Sequence, residues 1–141
     1  MKKNESAAGR DPSGAFLFTG FPGFIGARLL PRLLELKPVT RAHCLVQPKF
    51  MAAAGEARSE LETRHPHVRG RIDLTEGDIT AQGLGIPARA ARDLQRSLTE
   101  AYHLAAVYDL GVRRDVGRLV NVEGTKNVLE FLEQATGFER L

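Results

Sequence analysis

Residues 16–26, reading FLFTGFPGFIG, constrain the fold of this chain more than any other segment. Phe16, Leu17 and Phe18 form a short continuous apolar run, the pattern of a parallel strand buried on both faces. Gly20, Gly23 and Gly26 follow at intervals of three. An amphipathic stripe then begins, with Ile25, Leu29, Leu30, Leu33 and Leu34 on one face of a helix over residues 24–36, stopped by Lys37-Pro38. A strand, a glycine turn and a helix together give the spacing its meaning. Gly20 allows a sharp exit from the strand, Gly23 leaves no side chain where a pyrophosphate approaches, and Gly26 lets helix and strand pack closely. The N–H groups around Phe24 and Ile25, at the positive end of the helix, then face phosphates. A Walker-type loop is excluded: no Gly-Lys-Ser or Gly-Lys-Thr occurs, and Gly124-Thr125-Lys126 has the order reversed within a helical segment.

The rest of the chain repeats the strand-then-helix alternation. Residues 1–14 hold Ser, Gly, Pro and charge without periodicity and read as a loose leader, with one domain over residues 15–141. Further strands are expected over residues 42–46, 71–76 and 101–107, and helices over 51–64, 88–98 and 115–135. Pro31 removes a backbone donor mid-helix and is expected to kink the first helix near Ala27. In the last helix Val116, Leu119, Val120, Val128 and Leu132 are expected inward, and Gly124 on that stripe marks a close approach to the sheet. The fold class is α/β: a Rossmann-type doubly wound parallel sheet of about four strands in the order 3-2-1-4, stopping before a fifth strand, with right-handed crossovers.

Composition removes several alternatives. The net charge is +3, but the arginines run from Arg10 to Arg140 without clustering among aromatics, so no nucleic-acid partner is expected. Cys44 is the single cysteine, which rules out an intrachain disulfide and reads as a small buried hydrophobe. No apolar run is long enough to span a membrane, and a cytoplasmic location is expected. His65-Pro66-His67 lacks partners at ligand spacing, so no metal is expected; His103, within the fourth strand, reads as a satisfied core histidine. Tyr108 and Asp109 lie just past that strand, where ligands bind in open α/β sheets. At the end of the second strand Gln47-Pro48-Lys49 replaces the acidic residue of an NAD-preferring site, and a neutral side chain with an ammonium nearby favours NADP, with NAD possible.

Several motifs now coincide. TGFPGFIG at residues 19–26, LVQPK at 45–49, EGDIT at 76–80, HLAAV at 103–107 and NVEGTKNVL at 121–129 together resemble the extended short-chain dehydrogenase/reductase family, nearest its fatty acyl-CoA reductase and thioester reductase branch. The resemblance implies that Thr19, Gly20, Gly23, Phe24, Ile25 and Gly26 form the dinucleotide turn, and that Gln47 (an arginine in the branch) and Lys49 face the adenosine ribose. It also implies that Asp78 and Ile79 meet the adenine, that Ala105, Ala106 and Val107 line the nicotinamide side, and that Asn121 supports the active-site water and backbone network. The family's Ser beyond the fifth strand and its Tyr with Lys four residues later have no counterpart: Tyr102 is followed by Ala106 and Tyr108 by Val112 at that interval. The implied function is the NADP-binding half of a reductase acting on an acyl thioester or carbonyl compound, catalytically silent alone. The unpaired fourth strand invites association, including with a second copy. A non-catalytic dinucleotide-binding or sensor module and an inactive fragment stay open as alternatives.

Overall fold

A computed structural model describes residues 14–139 and 141. The expected leader, apart from Gly14, lies outside the described residues. Strand β1 (Ala15–Thr19) leads into helix α1 (Phe24–Leu36), then β2 (Arg41–Val46), α2 (Met51–Arg64), β3 (Ile72–Glu76), α3 (Ala88–Ser97) and β4 (Leu98–His103). All four strands are parallel and lie in the order β3-β2-β1-β4. Every residue of β1 is buried, as its apolar run requires at the centre of a doubly covered sheet. Phe16 and Phe18 pack with Leu30, Leu34 and Cys44 on one side; Ala15 and Leu17 pack with Leu98, Val128 and Leu132 on the other.

Helix α1 runs unbroken through Pro31, whose ring is buried, so the expected kink does not interrupt it. Its C-terminal end is secured by Arg71, one residue before β3. The guanidinium donates to the carbonyls of Leu34 at 2.9 Å, Thr40 at 3.0 Å and His67 at 3.0 Å, and also to Lys37. One side chain thus satisfies carbonyls that a helix end leaves without intrahelical partners.

Two elements differ from the expectation. The fourth strand was expected over residues 101–107 but spans Leu98–His103. It starts early because Leu98 and Ala101 are core residues and Glu100, though buried, is neutralised by Lys37 at 2.9 Å and accepts from the Tyr102 hydroxyl at 2.8 Å. It stops early because the Ala105 amide turns to the Thr19 hydroxyl at 3.1 Å, and the Leu104 amide is shared between that hydroxyl at 3.1 Å and the Thr19 carbonyl at 3.2 Å. Nor is the last helix one regular element: α4 (Arg114–Arg118) passes through a π-helical turn, Leu119–Glu123, into α5 (Gly124–Glu133). Val116 and Leu119 are 40% and 47% exposed rather than inward, whereas Val128 and Leu132 are buried as expected. Gly124 does make a close approach, but to Ile79 just past β3: a Cβ there would lie 2.8 Å from Ile79 Cδ1.

Cys44 is fully buried at the centre of β2, and desolvation, reinforced by Asp73 and opposed by Arg58, pushes its thiol up to about 12. We therefore expect a thiol reagent at neutral pH to label the native protein only as fast as it unfolds. Labelling of the native and denatured chains at the same rate would contradict this burial.

Candidate dinucleotide site

At the carboxyl ends of the strands lies a cavity of about 660 Å³, within the usual range for small-molecule sites. Its floor is the turn between β1 and α1, where the backbone is crowded around one atom, the Gly20 carbonyl oxygen. Gly23 N–H donates to it at 2.9 Å. A Cβ on Gly23 would lie 2.7 Å from it, and one on Gly26 2.5 Å from it and 3.1 Å from Phe18 Cε1. Gly20 has φ +97, and a Cβ there would meet Leu104 Cβ at 2.8 Å. The turn is thus built on three missing side chains, and Gly23 is needed within the protein as well as for access to a ligand.

Gly23 is the N-cap of α1 and makes no side-chain cap bond. The amides of Phe24, Ile25 and Gly26 therefore open the helix without intrahelical acceptors, at its positive end. The Phe24 and Ile25 side chains are 71% and 66% exposed, so it is the main chain of these residues that the fold positions. Arg28 lies 3.6 Å over the Phe24 ring and donates to its carbonyl, which places a guanidinium beside the same helix start. Thr19, Gly20, Phe21, Pro22 and Gly23 line the cavity here, whereas Phe24, Ile25 and Gly26 do not; a glycine turn leading into a helix N-terminus fits the pyrophosphate of a dinucleotide.

At the second end of the cavity stand Gln47, Lys49, Asp78 and Ile79. Asp78 Oδ1 accepts from both the amide and the hydroxyl of Thr80, at 2.8 Å each. Burial, the largest single influence on its carboxyl, works upward. The Thr80 bonds, a hydrogen bond from Gln47 and the Lys49 ammonium outweigh it and hold Asp78 below the usual carboxylate value. Ile79 is almost wholly buried beneath α5, and its carbonyl accepts from Asn127 at 2.8 Å. Gly77 was not among the site residues read from the sequence, yet a Cβ on it would lie 2.4 Å from the main-chain Leu84 carbonyl oxygen, so the exit from β3 depends on it. Its position directly after the third expected strand was the available signal.

The third wall is formed by residues 104–107. Ala105, Ala106 and Val107 line the cavity, and Tyr108 does so while 87% exposed. Asn121, in the π-helical turn, does not line it. Its side-chain amide pairs with the main chain of Val107 in both directions, Nδ2 donating to the carbonyl and Oδ1 accepting from the amide, each at 2.8 Å. Asn121 therefore acts on the wall rather than on its contents. Among the described residues no group of three or more His, Cys, Asp or Glu side chains could hold a metal, and no helix is long and apolar enough to cross a membrane.

A parallel sheet in the order 3-2-1-4, with a glycine turn at its central strand and a cavity across the strand ends, defines a Rossmann-type dinucleotide-binding fold. The sequence profile of the NAD-binding family described as Male sterility protein matches residues 18–140, and the chain belongs to that family. It is 30% identical over 129 residues to the non-canonical nonribosomal peptide synthetase cpsA of Aspergillus campestris, covering 88% of this chain and 12% of that protein. To the fatty acyl-CoA reductase wat of Drosophila melanogaster it is 25% identical over 137 residues, covering 91% and 26%. Among solved structures, the terminal R domain of the myxalamid PKS-NRPS pathway superposes with a TM-score of 0.74 at 28% identity, over 86% of this chain and 32% of that one. The reductase domain of a nonribosomal peptide synthetase from Mycobacterium tuberculosis gives 0.70 at 24% identity over 94% and 34%, a likeness of fold. The chain thus spans about a third or less of each of these relatives.

Proposed function

We propose that this chain is the dinucleotide-holding part of an NADP(H)-dependent reductase whose complete form acts on an acyl thioester or carbonyl compound. The observation that carries the reading is the glycine turn: Gly20 and Gly23 line the cavity and lead directly into the start of α1. In this reading the amides of Phe24, Ile25 and Gly26 hold the pyrophosphate above Gly20 and Gly23. Asp78 and Ile79 flank the adenine, Lys49 with Gln47 meets the 2′-phosphate, and Thr19 with residues 105–107 shapes the nicotinamide side, backed by Asn121. The bound cofactor supplies the hydride; the protein orients it and keeps the ring against an apolar wall. No tyrosine here has a lysine four residues on, so in this reading the proton donor comes from residues outside these 141.

Titration calorimetry with NADPH and NADH tests this directly. NADPH is expected to bind about tenfold more tightly, the worth of one charge-assisted contact from Lys49, and Lys49→Ala to remove the difference. Equal affinities in the unsubstituted chain would overturn the NADP assignment, and binding of neither would overturn the site.

A further inference from the structure

The sequence marks His103 as a core histidine with no task, but its hydrogen bonds have a direction that only one protonation state satisfies. Thr19 Oγ1 accepts from the amides of Leu104 and Ala105, at 3.1 Å each. With both lone pairs engaged, its one proton goes to its remaining neighbour, His103 Nδ1, at 2.7 Å. Nδ1 is therefore bare. On the other side of the ring, the Thr125 hydroxyl donates to the Asn121 carbonyl at 2.7 Å, so its oxygen is the acceptor for His103 Nε2–H at 3.0 Å. The hydrogens run one way, from the amides of residues 104 and 105 through Thr19, His103 and Thr125 to the main chain of the π-helical turn. Asn121 then closes a ring by pairing with Val107.

We propose that His103 is a positioning residue of the nucleotide site, working as the neutral Nε2–H tautomer that fastens the glycine turn and the 104–107 wall to α5. The assignment rests on the dinucleotide reading for its ligand, though not for its hydrogen bonds. A second proton on Nδ1 would face an oxygen whose lone pairs are taken, and the Thr19 hydroxyl would have to turn away from its acceptor. The wall then loses an anchor, because the Ala105 amide bonds that same oxygen, while the Leu104 amide shares it with the Thr19 carbonyl at 3.2 Å.

Ionisable neighbours do not supply an alternative cause. β1 carries none, and Glu100 and Tyr102 lie on the opposite face of β4 with Lys37. The π-helical turn and α5 carry Glu123, Lys126, Glu130 and Glu133, and Asp78 and Asp109 stand in the loops. Desolvation is the one cause by which His103 is held below the ordinary imidazole value. The neutral form is thus retained at neutral pH. Its contribution is complete above the ordinary histidine range and is lost as the pH falls below it.

Ring-nitrogen NMR of the histidine-labelled protein, with amide exchange, tests the fastening without any ligand. His103 is expected as the Nε2–H tautomer, protonating only at lower pH than free imidazole. Thr125→Val, which keeps the shape and removes the hydroxyl, is expected to speed amide exchange at Ala105 and Val107 about tenfold and to weaken NADPH binding by a similar factor. Thr125→Ser should restore both. An Nδ1–H tautomer, or unchanged exchange in Thr125→Val, would overturn the proposal. If the unsubstituted chain bound no NADPH while exchange followed the hydroxyl, the dinucleotide reading would fall and the fastening would stand.

Discussion

Gly26→Ala should lower the stability of the fold by about 3 kcal/mol, the upper end of the usual cost of overpacking. The added carbon would meet the Gly20 carbonyl oxygen at 2.5 Å and Phe18 Cε1 at 3.1 Å. Neither neighbour can yield cheaply. The oxygen is main chain and already accepts from Gly23 N–H, while Phe18 is fully buried. Relief therefore requires α1 to move away from β1, which breaks the turn that presents the first-turn amides. Dinucleotide affinity should fall with it by about a hundredfold, as a displacement costing nearly 3 kcal/mol implies. Denaturant titration and calorimetry read the two effects, and a variant within about 0.5 kcal/mol of the parent would show that the turn tolerates a side chain. The same change in the middle of α2 is expected to have the opposite sign. A Cβ on Gly55 meets nothing within 4 Å, so Gly55→Ala should stabilise by about 0.5–1 kcal/mol.

The second large effect is expected at Asn121. Its two bonds to Val107 need a donor and an acceptor at fixed spacing. Asn121→Ala removes both and should weaken NADPH binding about tenfold, at the cost of a net hydrogen bond or somewhat more. Asn121→Asp is the sharper test, because it keeps the shape but sets a carboxylate oxygen against the Val107 carbonyl. It should be worse than alanine, and more so as the pH rises through the carboxylate range. If the aspartate variant bound better than the alanine variant, the pairing would not be what holds the wall.

Much of the architecture was legible because it depends on local pattern. The bounds of α1 and α2 follow from the apolar stripe of residues 24–36, closed by Lys37-Pro38, and from the Ala- and Glu-rich run of 51–64. The strand order and the glycine turn were legible because the central strand is a short apolar run and strands alternate with helices along the chain. β4 was misplaced because its first half carries Thr99 and Glu100, and that glutamate is buried with the help of the distant Lys37. The break in the last helix was equally hidden. Nothing within residues 115–135 announces a π-helical turn, whose Asn121 is paired with Val107 on another element. Of the residues read as cofactor contacts, Phe24, Ile25 and Gly26 stand outside the cavity lining and the others line it, while the contacts that set their electrostatics were not legible. Gln47 with Asp78, and Thr19 with His103, join residues far apart in the chain, and no spacing rule reaches across such gaps.

Arg71 carries a consequence for how the molecule assembles. The carbonyls it binds on Leu34, Lys37 and Thr40 stand 31 to 37 residues earlier in the chain, while it sits immediately before β3. The last turn of α1 cannot be completed by its own sequence, and closing that long loop is opposed by chain entropy until β3 docks on β2. The end of the first helix and the start of the sheet's outermost strand thus open and close as one cooperative unit, so the edge of the sheet governs the fraying of a helix beside its centre.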